Sequence, residues 1–91
     1  MTVEEKINEI TNGKPNYLSI TFNDHWAAHE PIERALEDIS DRDFAAPDER
    51  QKCLESNSIW EVHYYPVTPV GFVHCYASTL DAALDGLLKL L

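Results

Sequence analysis

The sequence predicts an α+β fold: a small two-layer domain in the order α-β-α-α-β-β-α, with a three-stranded, mainly antiparallel sheet and helices packed on one face. Three observations predict it. Tyr17 to Phe22 alternates apolar and polar residues with a period of two. Two further strand-like runs, Ile59 to Tyr65 and Gly71 to Ala77, flank a short proline-bearing segment, which is the spacing of a hairpin. Helix-period stripes surround them, the clearest being Leu80, Ala83, Leu84, Leu87, Leu88 and Leu91. The 91 residues suffice for a single domain, 1–91. A chain of this size buries only roughly 60–65% of its unfolded surface, so its core is small.

Each element follows from local signals. Thr2-Val3-Glu4-Glu5 has the form of a capping box, a hydroxyl at the cap and a carboxylate three residues on. The helix it opens carries Val3, Ile7 and Ile10 on one face and ends at Asn12-Gly13, with Gly13 suited to a left-handed cap. Pro15 marks a loop. In the first strand Leu18, Ile20 and Phe22 face the core, while Tyr17, Ser19 and Thr21 face away. Asn23-Asp24 breaks the strand, and His25 to Glu30 fits either a helical turn or a loop. Pro31 is a good first helical residue, followed at helix spacing by Ile32, Ala35, Leu36 and Ile39. The helix leaves through Ser40 to Asp43. Pro47 opens a third helix to about Glu55, with Asp48 and Glu49 in its first turn and Cys53 and Leu54 turned inward. Ser56-Asn57-Ser58 ends it. Pro66 and Pro69 forbid a tight primed turn in the hairpin, so its loop is wide. Ser78-Thr79-Leu80-Asp81 caps the last helix, with Asp81 at the third helical position.

The hairpin register is the most consequential expectation. A loop of even length centred between Thr68 and Pro69 sets His63 opposite His74, Val62 opposite Cys75 and Glu61 opposite Tyr76. A slip of one residue would turn every side chain to the other face. In this register Trp60, Val62, Tyr64, Val73, Cys75 and Ala77 face the core with Leu18, Ile20 and Phe22. The helix-free face carries Tyr17, Glu61, His63, Tyr65, Phe72, His74 and Tyr76. It is too polar for a core and too aromatic for an indifferent surface, and aromatics with polar tips are common material of contact surfaces. The plain alternative is that Tyr and His simply suit an exposed strand.

The charge excludes some functions. Sixteen acidic residues against seven basic ones leave a net of −9, and residues 24–57 alone carry 10 acidic and 4 basic side chains. Nucleic-acid binding needs a Lys/Arg footprint, which is missing, so no direct nucleic-acid partner is expected. An anionic membrane surface is disfavoured for the same reason. The start of the chain lacks the basic and apolar runs of a signal peptide, and no apolar stretch spans a bilayer, so a cytoplasmic location is expected. Glu30, Glu33, Glu37, Asp38, Asp41, Asp48 and Glu49 form the expected acidic surface, with Asp43 and Glu55 nearby. Such a surface could imitate a nucleic-acid backbone, or be only a solvated helix face.

Signs of catalysis are sparse. His25 and His29 have the i, i+4 spacing of a metal pair, and His63 and His74 make a second pair, but no closed ligand set is legible and no metal or other cofactor is expected. Cys53 and Cys75 read as core thiols rather than nucleophiles. Gly13, Gly71 and Gly86 build no phosphate-binding loop. The expected function is therefore a non-enzymatic binding module that uses the helix-free face to hold a protein partner, a second copy of itself or a small ligand. An acidic inhibitor that imitates nucleic acid is the alternative, and a metal-dependent enzyme stands third. The stretch Tyr65-Pro66-Val67-Thr68-Pro69-Val70-Gly71-Phe72, followed by a strand and a capped helix, is similar to many small orphan proteins of phages and bacteria; it covers about a third of the chain, carries no motif of known chemistry, and favours an accessory or counter-defence role only as a class.

Overall fold

The computed structural model describes residues 1–12, 17–22, 31–65 and 73–90. Helix α1 spans Val3–Thr11, strand β1 Leu18–Phe22 and helix α2 Ile32–Glu37. A 3-10 turn at Asp41–Asp43 precedes helix α3, Glu49–Ser56. Strands β2, Trp60–Tyr64, and β3, Val73–Ala77, lead into helix α4, Leu80–Leu90. The order is the expected α-β-α-α-β-β-α, with three strands in one antiparallel sheet ordered β1-β2-β3. Among the described residues no helix is long and apolar enough to cross a membrane.

The capping box at Thr2 is formed in both directions: the Glu5 amide donates to Thr2 Oγ1, and the Thr2 amide donates to Glu5 Oε1. At the other end of α1 the left-handed residue is Asn12, with φ 50° and ψ 44°, rather than Gly13, which lies outside the described residues. Asn can take this conformation because its short polar side chain bonds locally. Asn57 ends α3 in the same way at φ 52°. The cap of α4 is also shifted by one residue. Thr79 Oγ1 accepts from the Ala82 amide, whereas Ser78 is taken by a longer-range partner, Glu49.

The hairpin register is the expected one: His63 pairs with His74, Val62 with Cys75 and Glu61 with Tyr76. Val62, Cys75 and Ala77 therefore enter the first core, with Ile10 from α1 and Ala83, Leu84 and Leu87 from α4. Helix α4 lies across β2 and β3, and α1 packs on α4. This leaves β1 at the margin. Leu18 is half-buried against the core, but Ile20 and Phe22, expected inside, are 39% and 37% exposed. Both residues lie on the core side of the sheet, opposite Val62 and Trp60, but the described helices pack over β2 and β3 rather than over the outer strand. Phe22 keeps a cross-strand ring contact with Trp60, 4.6 Å between centroids.

A second core forms beyond β3. Ile32, Ala35 and Leu36 of α2, Phe44, Cys53 of α3 and Ile59 bury together, and Tyr76 packs against them. Phe44 bridges Tyr76 in parallel, and the Ala45 amide donates to the Tyr76 carbonyl at 2.9 Å. The outer edge of β3 is thus covered by residues 44–45, which removes an exposed strand edge. Arg50 holds the connection together. Its guanidinium donates to the carbonyls of Leu36 and Ile39 and to Asp41 Oδ1, and stacks over Phe44 at 4.7 Å. An arginine at these carbonyls caps the C-terminal end of α2.

Candidate functional site

The register arranges the sheet face opposite α1 and α4 in cross-strand rows; this face is free of helices except at its β3 side, where Tyr76 packs on the second core of α2 and α3. Thr21, Glu61 and Tyr76 make one row, and Ser19, His63 and His74 the next. Tyr17 and Tyr65 lie beyond, joined by the Tyr65 amide donating to the Tyr17 carbonyl at 3.0 Å. Phe72, expected to complete that third row, lies outside the described residues. Tyr17 and Tyr65 are exposed, whereas Glu61, His63, His74 and Tyr76 are half-buried.

Side-chain contacts tie the middle of this face together. His63 Nε2 lies 2.9 Å from Glu61 Oε2. The His63 and His74 rings meet edge to face at 5.2 Å, His74 meets Tyr76 at 5.5 Å, and Tyr65 lies nearly parallel to His63 at 6.3 Å. Burial, reinforced by a hydrogen bond to the Glu61 carboxylate and by the Asp43 charge, pushes the Tyr76 phenol well above its ordinary range. One ligand atom from each of Glu61, His63 and His74 lies within 4.8 Å of the others, so three potential metal-ligating groups do converge. The sequence makes the histidine pair legible. The third member is supplied because residues two apart on a strand share a face, which places Glu61 beside His63.

Asp43 reaches this cluster from outside the sheet. Its Oδ1 lies 3.5 Å from His74 Nε2. No signal in the sequence brings it there; the long-range bridge between Phe44 and Tyr76 does. One carboxylate of the acidic middle of the chain, Asp43, therefore belongs to the surroundings of this face.

The other expected acidic residues divide. Glu33, Glu37 and Asp38 are exposed on and just after α2. Asp41 pairs with Arg50 at 2.7 Å and Asp48 with Lys52 at 3.2 Å. Glu30 lies outside the described residues. Glu49 is a correction: it is 4% exposed rather than on the surface. Its Oε2 accepts from the amide and the hydroxyl of Ser78 at 2.9 and 2.8 Å, so it joins α3 to the start of α4. A helix-start glutamate turned inward looks the same in sequence as one turned out.

His25 and His29 lie outside the described residues. Cys53 and Cys75 are buried and not disulfide-bonded. Burial pushes their thiols up to about 12 and about 11, away from the thiolate a nucleophile needs. An open depression lined by Asp41, Arg42, Phe44, Ala45, Ala46, Pro47 and Arg50 lies along the segment that carries Asp43, and Arg50 there is already engaged. Comparison with protein families, with curated proteins and with solved structures returns no match for this chain, so the chemistry of the face rests on its geometry.

Proposed function

We propose that this chain is a non-enzymatic recognition module that binds a protein partner through the helix-free face of its sheet. The observation that carries the reading is the half-buried cluster of Glu61, His63, His74 and Tyr76 bordered by exposed Tyr17 and Tyr65. Amphipathic rings around a partly desolvated polar centre have the composition of a contact surface. The carboxylates at this centre, Glu61 and Asp43, sit in a chain of net charge −9. They suit a partner segment that presents an arginine or lysine, which can bond a carboxylate and stack on a tyrosine ring.

Nucleic-acid imitation has less support. Of the expected acidic surface, Glu49 is buried and Asp41 and Asp48 are paired with Arg50 and Lys52. That leaves Glu33, Glu37 and Asp38 as the exposed members outside those pairs, with Asp41 and Asp48 exposed beside their cations.

Two sets of variants separate the readings once a partner has been recovered with the chain and purified. Tyr65→Ala and Glu61→Gln are expected to weaken binding at least tenfold without changing thermal unfolding. Tyr76→Ala is the wrong probe, because Tyr76 also packs on the second core. Reversing Glu33, Glu37 and Asp38 to lysine is expected to have little effect. Loss of binding in the reversal variant alone would overturn the proposal in favour of imitation.

A further inference from the structure

We infer that Glu61, His63 and His74 form a binding site for a divalent transition-metal ion, with zinc the ion their donor set suits. The backbone supplies the convergence. Glu61 and His63 project from alternate positions of β2 onto one face, and His74 is the cross-strand partner of His63. Cross-strand partners hold their Cβ atoms roughly 4.5–5.5 Å apart, so the arms start close and on paired, rigid strands. The three ligand atoms already lie within 4.8 Å of one another. Zinc bonds of about 2.0–2.1 Å in a tetrahedron need ligands about 3.3 Å apart. Small side-chain rotations close that difference without moving the backbone, and the 2.9 Å contact between Glu61 and His63 is already within it.

The donor types agree with the ion. Two imidazoles and one carboxylate are a known three-ligand zinc set that leaves a fourth position for water or another donor. Imidazole selects against magnesium and calcium, which take oxygen ligands. Asp43, 3.5 Å from His74 Nε2, is the carboxylate that positions the His74 ring, as outer carboxylates commonly do for ligating histidines. The site is half-buried, so an ion can enter and yet be partly shielded from water.

This inference concerns the face assigned above to recognition, but it stands on the isolated chain and needs no partner. It also bears on how that face would be regulated. Zinc and a basic partner segment both engage Glu61, so the ion is expected to compete with the partner.

Titration of the full chain with zinc chloride, against a chromophoric chelator, tests the inference. One equivalent is expected to bind. His63→Ala, His74→Ala and Glu61→Gln are each expected to lose more than the roughly 10–100-fold that removal of an outer partner costs, and Asp43→Asn about tenfold. The double variant His25→Ala, His29→Ala is expected to bind as the parent does. Zinc should raise the unfolding temperature of the parent and not that of the ligand variants. Should a ligand variant fail to fold, the imidazole nitrogen resonances of the parent decide instead: those of His63 and His74 must shift at one equivalent. Unchanged His63 and His74 resonances, or binding lost only in the His25/His29 variant, would overturn the inference. Zinc binding without partner binding counts against the recognition reading alone, and partner binding without zinc binding counts against the metal site alone.

Discussion

Gly86 offers the sharpest test of how the fold holds the face in place. Replacing a helical glycine by alanine ordinarily stabilises a helix by roughly 1 kcal/mol. Here the sign reverses. A Cβ at Gly86 would stand 2.4 Å from Cys75 Sγ, 2.6 Å from Ala45 Cβ and 2.8 Å from Ala45 Cα. Carbon atoms normally rest about 3.5–4.0 Å apart, so the neighbours would have to retreat by about 1 Å. Ala45 cannot swing aside, because one contact is its backbone and its amide is bonded to Tyr76. Overpacking of this kind costs roughly 1–3 kcal/mol, occasionally more, and contact with backbone belongs at the upper end. After the gain in helix propensity, Gly86→Ala should lose about 2 kcal/mol. That corresponds to roughly 8–16 °C in melting temperature for a domain of this size. Urea unfolding monitored by tryptophan fluorescence measures it. Adding Cys75→Ala should recover part of the loss, since it removes one of the contacts, and the coupling should exceed roughly 0.5 kcal/mol. A neutral or stabilised Gly86→Ala would refute the close approach of α4 to β3 and Ala45. The site would then lose its stated support, because His74 and Tyr76 flank Cys75 on β3.

Three further outcomes are expected. Glu49→Ala should destabilise by roughly 1–3 kcal/mol, because the Ser78 amide loses a buried acceptor; Glu49→Gln, which keeps a carbonyl oxygen, should lose less, and equal losses would contradict the hydrogen-bond account. Arg50→Lys should cost roughly 1.5–3 kcal/mol and raise amide exchange in α2 and α3 before it does so in β2, because an ammonium cannot reproduce the planar fork. The raised thiol pKa values make stability fall with alkali. Both thiols stay protonated in the folded chain while the unfolded chain ionises first, so the loss begins near the ordinary thiol value of about 8.5 and continues to about 11 for Cys75 and about 12 for Cys53. Denaturation curves across this window, with thiol-reagent trapping at pH 8, should show a decline and negligible labelling until the chain unfolds.

What the sequence made legible was governed by short-range periodicity. The alternation of β2 and β3, with a loop of known length, leads to the register and hence to the His63–His74 pair. The capping box at Thr2 involves residues three apart and is equally readable. Features set by packing between distant segments were not. Glu49 meets Ser78 across 29 positions, and Lys6 pairs with Asp81 and Asp85 from the opposite end of the chain. Lys6 is buried, and its ammonium pKa is raised by the hydrogen bonds to Asp81 and Asp85. Nothing at positions 5 to 7 distinguishes it from an ordinary surface lysine. The exposed Ile20 and Phe22 show the complementary error: alternation reports which side a residue faces, not whether a helix lies over it.

The acidity of the chain reads differently once its charges are located. Asp81 and Asp85 hold Lys6, Asp41 holds Arg50, and Glu49 holds Ser78, so a considerable share of the carboxylates serves to join helices. Arg50 offsets Asp41 and Lys6 offsets one of the two carboxylates it holds, whereas the amide and hydroxyl of Ser78 bond Glu49 without cancelling its charge. Glu61 and Asp43 differ in kind, although Asp43 Oδ1 also lies 4.0 Å from Nε of the exposed Arg42. Each stands against a histidine on a half-buried face whose remaining members are uncharged rings and hydroxyls. A partly desolvated negative charge attracts a cation more strongly than a solvated one, since the local dielectric is lower. Two carboxylates among sixteen therefore carry the functional argument, and both a metal ion and a basic side chain answer to the same pair. That shared preference makes Glu61→Gln the informative substitution: it should weaken both ligands, whereas His74→Ala should chiefly weaken the metal.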